Sequence, residues 1–423
     1  MSQRREMRTV LRRPSKRVED FAPTKVLAVD VADDMTDRLV GAYRHALVLI
    51  KHRGRPLGCV HVPCPDGTLP AAGVRAAMDA DAVLTWRLRD AALRAQLIGD
   101  APAALRRHSW SVIVCTRDRV GHLRHCLDGL APMLRESGEL VVVDNDPPDD
   151  ATRQLVAQFP GVRYVKEPRR GLNAARMAGA RTARGDILLY TDDDVVIDPG
   201  WIPALLRPFE APRVGAATGL TMPLELETPA QAIFEYYGGH GRGFQPRVFD
   251  QGIIPPTGAG QAGSGANMAF RRQLVLDLGL FDAELDMGSV ALTGGDAHGF
   301  YRVLAEGYQI SYTPDALVWH RHREDYPSLR RMLYTYNVGG VAHLTRCCLE
   351  YGEWQALEVA AWWLTHHHLK QLYRTLRRKP DALPVDLTLS ELAGFFQGPF
   401  AYFRARRIER ARAAALSPAG AAA

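Results

Sequence analysis

Residues 187–190 form a short apolar run that leads into three consecutive carboxylates, and this feature constrains the chain more than any other. The run Ile-Leu-Leu-Tyr has the length of a buried strand, and Asp192, Asp193 and Asp194 follow it closely. Because side chains alternate along a strand, Asp192 and Asp194 are predicted to share one face while Asp193 points the other way. A divalent cation that prefers carboxylate oxygens would remove the repulsion between such close charges. A solvated surface turn is the alternative interpretation.

Two similar apolar runs, at residues 109–115 and 139–143, also end in polar residues. Helical patterns follow the runs at 120–134, 150–159, 172–183 and 201–209. Asp198 is predicted to cap the last of these helices, with Pro199 in its first turn. Strands that alternate with helices predict a parallel, doubly wound sheet, in which ligands bind at the carboxyl ends of the strands. Thr116, Asp144 and the three acids all fall at such ends.

The order of motifs from Ser109 to Leu344 resembles an inverting glycosyltransferase of family 2 with the GT-A fold. The segments that carry the resemblance are SVIVCTRDR, VVVDND, RRGLNAARMAGARTARGD, YTDDDV, GSGANMAFRR, GLFD, GGDAHGFYRVLAEGY and ALVWHRHR. The resemblance implies an α/β, Rossmann-like and mostly parallel sheet flanked by helices. The sequence patterns outside it predict a small N-terminal α+β domain and a helical C-terminal region. We expect a disordered basic tail at 1–22, the small domain at 23–100, the glycosyltransferase domain at 106–325 and the helical region, with a disordered end, at 326–423.

The same resemblance implies roles for individual residues. The donor nucleotide would be bound by Thr116, Arg117, Asp144, Asn145, Gly171, Asn173, Arg176, Asp192 and Asp193. A metal ion would be held by Asp192, Asp194 and His320, and Asp296 would be the catalytic base. Contacts to the acceptor or sugar would come from Asn267, Gly295, His298 and Trp319. The family commonly has Glu-Asp at the base position and an acid two residues later, where this chain has Gly295 before Asp296 and His298 after it.

The implied reaction moves a sugar from a UDP-, GDP- or dTDP-linked donor to an acceptor hydroxyl on a glycan, a glycolipid or a secondary metabolite, with Mg²⁺ or Mn²⁺ as cofactor. Glycosyl transfer requires charge stabilisation on the leaving diphosphate and a base for the acceptor hydroxyl. A nucleotidyltransferase that makes nucleotide sugars is one alternative, but it would need a loop rich in glycine and lysine where this chain has Thr-Arg-Asp-Arg at 116–119. A non-catalytic binding protein that retains the fold is the other.

The net charge of +6 is concentrated near the ends of the chain, with seven Lys and Arg against three acids in residues 1–20. Basic ends and an aromatic C-terminal region are compatible with peripheral contact with an anionic membrane, or simply with solubility and ordinary packing. No nucleic-acid module is visible, and no apolar run is long enough for a signal or membrane-spanning segment. We therefore expect a cytoplasmic protein, with peripheral contact at the inner face of the membrane as an option, and reduced cysteines.

Two further patterns resemble binding motifs but are predicted not to form binding sites. The glycines at 258, 260 and 263 fit a dinucleotide fingerprint, but they follow Pro-Pro and precede a predicted strand, so the strand–turn–helix context is missing. His366, His367 and His368 are predicted to point in three directions from a helix and so cannot all bind one ion.

In the unit at residues 25–97, the pattern predicts a hairpin of strands at 45–51 and 57–62, followed by helices at 71–79 and 83–97. The unit carries no catalytic motif and precedes a linker rich in Ala, Pro and Arg. It is therefore predicted to be a domain that docks the acceptor or a partner and is dispensable for donor binding.

Overall fold

A computed structural model describes residues 21–98, 108–136, 138–282, 285, 293–379 and 382–415. The expected basic tail up to residue 20, most of the linker and the C-terminal end from residue 416 lie outside these described residues.

The N-terminal unit is a small α+β domain. Its elements are β1 (Thr24–Asp30), β2 (Arg38–Leu39), β3 (His45–His52), β4 (Arg55–Pro63), β5 (Thr68–Leu69), α1 (Ala71–Asp79) and α2 (Ala82–Ile98). Strands β3 and β4 form the predicted antiparallel hairpin, and β1, which the sequence pattern did not reveal, pairs with β3 in parallel. The predicted helices at 71–79 and 83–97 are confirmed.

The central domain contains a nine-stranded mixed sheet in the described part of the chain. Its strands are β6 (Trp110–Thr116), β7 (Gly138–Asn145), β8 (Val162–Glu167), β9 (Ile187–Asp192), β10 (Val195–Ile197), β11 (Val214–Pro223), β12 (Arg247–Phe249), β13 (Asn267–Arg271) and β14 (Gln309–His320). The strand order is β10-β14-β11-β13-β9-β6-β7-β8, and β12 pairs with β14. Strands β9, β6, β7 and β8 are mutually parallel, as predicted, whereas β13 is antiparallel to both of its neighbours.

Helices cover both faces of this sheet and bury apolar side chains on each. They are α3 (Val120–Leu130), α4 (Ala151–Val156), α5 (Leu172–Thr182), α6 (Trp201–Leu206), α7 (Pro229–Gly238), α8 (Arg272–Leu278) and α9 (Gly295–Ala305). Val112 and Val114 of β6 pack in the layer with α3 and α6, while Ile113 packs in the layer with α5 and α9. Burial on both faces explains why these strands read as continuous apolar runs. The α/β fold class is confirmed.

Two local predictions in this domain need comment. Helix α6 begins at Trp201 with Gly200 as its N-cap, so the prediction that Asp198 caps it is wrong. The Asp198 carboxylate forms an ion pair with Lys51 of the N-terminal unit instead. Gly258 and Gly260 lie on a 3₁₀ turn at Pro256–Gln261, Gly263 follows the turn, and β13 comes next, so these glycines do not connect a strand to a helix.

The C-terminal region is helical, as predicted. Its helices are α10 (Tyr326–Tyr351), α11 (Gln355–Trp363), a π-helical turn (Leu364–Leu369), α12 (Lys370–Leu376) and α13 (Val385–Ala415). The sequence pattern missed the break at Gly352, whose φ of 69° is left-handed and ends α10. None of the helices in the described residues has the length and apolar character needed to cross a bilayer.

The N-terminal unit shares an apolar cluster with the central sheet. Leu47 and Leu49 of β3 pack with Leu220 of β11 and Leu317 of β14. The isolated bridge between Thr24 and Leu226 and the ion pair of Lys51 add polar links across the same boundary. The unit therefore lies against the strand that ends at His320, and removing it would expose apolar side chains of the central domain.

Candidate active site

Strand pairing brings two carboxylates and an imidazole together at one edge of the sheet. Strand β9 ends at Asp192, the chain turns through the next two residues, and β10 then pairs with β14 so that Val195 lies opposite His320. The backbone N–H of Arg321 donates to the carbonyl of Asp194 at 3.0 Å and fixes the turn against β14. One ligand atom each from Asp192, Asp194 and His320 lie within 4.8 Å of one another.

A chain of contacts leads from His320 away from the acids. Nδ1 of His320 lies 3.3 Å from Nδ1 of His322, and Nε2 of His322 lies 2.9 Å from a carboxylate oxygen of Glu235. If His322 donates from Nε2 to Glu235, its Nδ1 is an acceptor and Nδ1 of His320 is the donor. Nε2 of His320 then carries a lone pair, and it faces Oδ1 of Asp194 at 3.4 Å. This is the arrangement of a metal-binding histidine oriented by a histidine and a carboxylate behind it.

The electrostatic surroundings of the two acids differ. Burial raises the pKa of the Asp192 carboxyl, and the charge of Asp194 raises it further. Burial acts on Asp194 in the same sense, but His320, Arg119 and Arg323 outweigh it and lower the pKa of Asp194. Burial lowers the pKa of His320 to about 4, so its ring is neutral at pH 7 and the two arginines then stabilise the Asp194 charge. A neutral imidazole and an ionised carboxylate are the forms that bind a metal.

These residues fit a divalent cation. Oδ1 of Asp194 is buried, and no described residue donates a hydrogen bond to it. It faces the lone pair of His320 without a proton between them, which is unfavourable unless a positive charge lies there. Two carboxylates suit Mg²⁺ or Mn²⁺, and the imidazole favours a transition metal over Mg²⁺.

Asp193 lies on the other side of the turn and is held by protein donors. The hydroxyl of Thr116 donates to one of its oxygens at 2.7 Å, and Arg119 donates to the other at 3.2 Å. Arg119 also donates to Asp194 at 3.1 Å, so it bridges the two neighbouring acids. The strand alternation predicted for all three acids ends at Asp192, because the chain turns there.

Asp296 lies in the first turn of α9, where a negative charge is favoured by the helix dipole. One of its oxygens accepts the backbone N–H of Gly265 at 2.9 Å. A Cβ at Gly265 would lie 2.4 Å from the guanidinium of Arg176, so Arg176 would have to shift if residue 265 carried a side chain. Asp296 is near enough to Asp192 to raise its pKa, whereas Arg176 lowers it. The candidate base, Arg176 and the metal-binding acids therefore line one site.

Sequence comparison adds an independent observation. Residues 111–273 match the sequence model of the family described as Glycosyl transferase family 2. This part of the chain belongs to glycosyltransferase family 2.

Two curated relatives align with the family 2 domain and its surroundings. The uncharacterized protein MT1568 of Mycobacterium tuberculosis is 29% identical over 173 residues, which cover 38% of this chain and 53% of that protein. The glucosyl-dolichyl phosphate glucuronosyltransferase of Haloferax volcanii is 25% identical over 223 residues, covering 50% of this chain and 68% of that protein. The chain thus spans about half the length of the first of these relatives.

Among solved structures, the mannosyltransferase PcManGT from Pyrobaculum calidifontis, in complex with GDP-Man and Mn²⁺, aligns with a TM-score of 0.43 and 19% identity. The alignment covers 80% of this chain and 85% of that one.

Several residues expected to bind the nucleotide form hydrogen bonds within the family 2 domain. Asn145 donates to the carbonyl of Arg169 at 2.7 Å and accepts the N–H of Gly171 at 2.8 Å, so it shapes the loop before α5. Gly171 has a φ of 144°, which side-chain-bearing residues avoid. Asp144 is fully buried, and one of its oxygens accepts a hydrogen bond from Tyr164 at 2.9 Å.

Asn173, Thr116 and Asp193 also have partners within the protein, and their roles in nucleotide binding stay predictions. The amide of Asn173 donates to the backbone carbonyls of Asp282 at 2.6 Å and Leu285 at 3.1 Å. Thr116 and Asp193 are buried and bonded to each other. Of the other residues expected near the nucleotide, Arg117 is exposed beside Asp146, and Arg176 lies next to Asp296.

The four residues expected to contact acceptor or sugar do not line the site in this structure. Asn267 is fully buried, donates to the carbonyls of Leu220 and Ala316, and accepts from the indole of Trp201, so its amide is already bonded. His298 is buried in an aromatic cluster with Tyr301 and Tyr351. Trp319 packs against the apolar cluster shared with the N-terminal unit, and Gly295 packs directly against Asn173.

The structure also adds residues that sequence reasoning missed. They are Arg119, Glu235, His322, Arg323 and Tyr336. His322 could have been found, because a second histidine two residues after His320 lies on the same strand face if the strand continues. Tyr336 could not, because it comes from α10. Burial raises its pKa, and so does the nearby charge of Asp296.

Proposed function

We propose that this protein is a metal-dependent, inverting glycosyltransferase that moves a sugar from a nucleotide-diphosphate sugar to an acceptor hydroxyl. The observation that carries the proposal is the placement of Asp192, Asp194 and His320 within 4.8 Å of one another at the strand ends, with the Asp296 carboxylate in the same site. Its family 2 domain supports the same reaction class.

Each residue has a separate task in this proposal. Asp192, Asp194 and Nε2 of His320 would hold the divalent ion, which when bound offsets the charge of the leaving diphosphate. Arg176 adds a positive charge beside the same site, and a guanidinium suits phosphate oxygens. Asp296 would accept the proton of the attacking hydroxyl. Attack from the side opposite the diphosphate inverts the configuration at the anomeric carbon, as in inverting glycosidases.

Glu235 and His322 are positioning residues in this scheme. Glu235 accepts from His322, which fixes the His322 tautomer and through it the tautomer of His320. Such partners behind a ligand keep its lone pair directed at the metal and raise its basicity.

The alternatives have weaker support. A nucleotidyltransferase needs a loop of glycines and lysines around the phosphates, but here Arg117 pairs with Asp146 and Arg119 pairs with Asp193 and Asp194. A non-catalytic binding protein would not need the Asp296 carboxylate beside the metal-binding acids.

A nucleotide-sugar panel tests the donor half of the proposal. UDP-, GDP- and dTDP-linked sugars are added to the full chain with Mn²⁺ or with EDTA, and thermal unfolding is followed. We expect one nucleotide class to raise Tm, only with Mn²⁺, in the wild type and in Asp146→Asn but not in Asp194→Asn. A panel in which no nucleotide shifts Tm, or in which the shift persists in EDTA, would contradict the metal-dependent transferase.

We also propose that the C-terminal helices contact an anionic membrane. Leu389, Phe396, Phe400 and Phe403 of α13 are all more than half exposed. At about 100° per residue they fall within roughly 60° of one another around the helix, so they form one stripe. The exposed Arg407 continues this stripe by the same spacing. An apolar stripe with basic residues suits the interface of an anionic bilayer.

Vesicle sedimentation separates this idea from the transferase proposal. Wild type is expected to bind vesicles that contain phosphatidylglycerol, and to bind pure phosphatidylcholine poorly. The double variant Phe396→Ser/Phe400→Ser should lose that binding, while Val248→Ser/Ile253→Ser, which removes exposed apolar side chains of the central domain, should keep it. Equal binding by both variants would rule out the stripe as the contact. The expectation of a cytoplasmic location stays a prediction.

A further inference from the structure

A second group of histidine and carboxylate side chains lies in the C-terminal region, apart from the proposed active site. His367 and His368 are in the π-helical turn Leu364–Leu369, and Glu391 is on α13. One ligand atom from each of the three lies within 4.8 Å of the other two. Nothing in the proposed transfer reaction uses them.

The π-helical turn explains why these histidines converge. In a regular α-helix, neighbouring residues point about 100° apart, which is why sequence reasoning rejected the His-His-His run as a site for one ion. That reasoning holds for His366, which is exposed and stacks on Trp362 with an interplanar angle of 8°. The wider turn places His367 and His368 together instead, with ring centroids 4.9 Å apart. Single π-turns occur frequently at functional sites.

The group is largely buried, and one of its polar atoms lacks a hydrogen-bond partner among the described residues. His368 is 1% exposed, and no described residue forms a hydrogen bond with its Nε2. Glu391 is also buried, and one of its oxygens accepts the hydroxyl of Tyr237 at 2.6 Å. Its other oxygen lies 3.8 Å from Nε2 of His367. A buried imidazole nitrogen without a partner is costly and points to a ligand that is bound there.

We propose that His367, His368 and Glu391 form a second metal site that binds a zinc-like transition-metal ion. Two imidazoles and one carboxylate are a donor set that Zn²⁺ takes in proteins, whereas Mg²⁺ prefers oxygen alone. Ligand atoms around tetrahedral zinc are about 3.3 Å apart for bonds near 2.05 Å, so small side-chain rotations close the site. Tyr237 contacts two of the three proposed ligands, because its hydroxyl donates to Glu391 and lies 3.2 Å from Nε2 of His367. Partners behind metal ligands orient them in this way.

The consequence of such a site is structural. Its ligands come from the π-helical turn and from α13, and Tyr237 comes from α7 of the central domain. A bound ion would therefore fasten the last helix to the rest of the C-terminal region and, through Tyr237, to the central domain. This inference does not rest on the proposed transferase activity.

Metal titration of the full chain tests the site. The protein is stripped of metal with EDTA, and Zn²⁺ binding is measured by calorimetry, with Co²⁺ absorbance as a spectroscopic probe, in the wild type and in Asp194→Asn, which disables the first cluster. We expect Asp194→Asn to keep one tight zinc site per chain. His368→Gln and Glu391→Gln should each weaken it at least about 100-fold, more than the effect of losing an orienting partner alone. The matched control His366→Gln, on the same turn, should bind as the wild type does.

Three results would overturn the proposal: no tight zinc site in the wild type, loss of the site in Asp194→Asn, or unchanged affinity in both His368→Gln and Glu391→Gln. Thermal unfolding in EDTA checks that each variant is folded. If the variants do not fold, X-ray absorption of the zinc-loaded wild type decides instead, because two imidazole ligands give a distinct scattering pattern and sulfur or oxygen-only ligation would contradict the site.

Discussion

The cluster of Asp192, Asp194 and His320 and the cluster of His367, His368 and Glu391 contain the same kinds of side chain in different surroundings. The first lies at the carboxyl end of a strand, with Asp192 partly exposed and Arg119 and Arg323 beside it. The second lies between helices, and both His368 and Glu391 are buried. The arginines next to the first cluster suit an anionic substrate. The second cluster is enclosed between helices, where a substrate has no access to it.

This difference suggests that the first cluster acts on a substrate and that the second stabilises the fold. At the first cluster, the arginines and Asp296 are charges that a diphosphate and a hydroxyl can use. At the second, Tyr237 is the only neighbour among the described residues that hydrogen-bonds Glu391. Similar donor atoms therefore predict different roles, and the experiments below are chosen to test that separation.

The largest expected effect is at the first cluster. Asp194→Asn removes the charge that faces His320, so turnover should fall on the order of 10⁴-fold because the metal contribution to transition-state charge is lost. Nucleoside diphosphate release in the presence of Mn²⁺ measures this. Asp146→Asn, at the same sheet edge but exposed and paired with Arg117, is the control and should stay near wild type. Comparable rates in Asp194→Asn and Asp146→Asn would show that the first cluster has no catalytic role, and the two clusters would then not differ in function.

Asp296→Asn should reduce kcat by about 10²–10⁴-fold, the usual effect of losing a general base. The amide can still accept from Gly265, so the start of α9 should be preserved. Mn²⁺ and nucleotide affinities, measured by calorimetry, are expected to stay within about two-fold. Loss of donor binding in proportion to the rate would show that Asp296 is a ligand and not a base.

Glu235→Gln tests whether metal binding at the first cluster depends on the contacts that run from Glu235 through His322 to His320. The amide still accepts from His322 but carries no charge, so the basicity of His320 should fall and Mn²⁺ affinity should weaken about 10–100-fold. Titration of Mn²⁺ by calorimetry measures the change, and saturating Mn²⁺ should restore most of the rate. Glu225→Gln, which removes a carboxylate close to Arg321 instead, is the comparison. Unchanged Mn²⁺ affinity would show that Glu235 and His322 contribute to packing and not to metal binding.

The smallest effect concerns stability at the second cluster. Zn²⁺ at about 100 times its Kd should add about 2.7 kcal/mol to the free energy of unfolding and raise Tm by a few degrees. Scanning calorimetry of EDTA-treated protein with and without Zn²⁺ measures the shift. Asp194→Asn should show the same shift, because its cluster is separate. A zinc effect that disappears in Asp194→Asn would mean that the two clusters are not independent.

The sequence predicted the strand–helix units of the central domain well because each depends on local pattern. The run at 187–190, the strands at 109–115 and 139–143 and the helix at 172–183 are all close to the observed elements. Continuous apolar runs indicate strands buried on both faces, and such burial is a property of the segment itself. The order of motifs along the chain then indicated the family, which the match over residues 111–273 bears out.

The polar residues near the site were harder to interpret, because a side chain's partners come from distant segments. Asn267 and His298 belong to recognisable motifs, yet the structure buries both. The sequence could not show that Trp201 would donate to Asn267, or that Tyr351 would stack on His298. A motif specifies a residue type at a position, but only packing decides whether that residue faces a ligand or the core.

The sequence by itself determined the α/β fold class, the acids after β9 and the separate helical region at the C-terminus, since these follow from local periodicity and from charges adjacent in the chain. Tertiary structure decided which side chains meet. The pairing of β10 with β14 brings His320 to Asp194, and α10 carries Tyr336 toward Asp296. The π-helical turn and α13 bring His367, His368 and Glu391 together across 24 positions of sequence, from 367 to 391. Local sequence patterns do not predict such contacts, because the free energy that stabilises them comes from burial of the whole core.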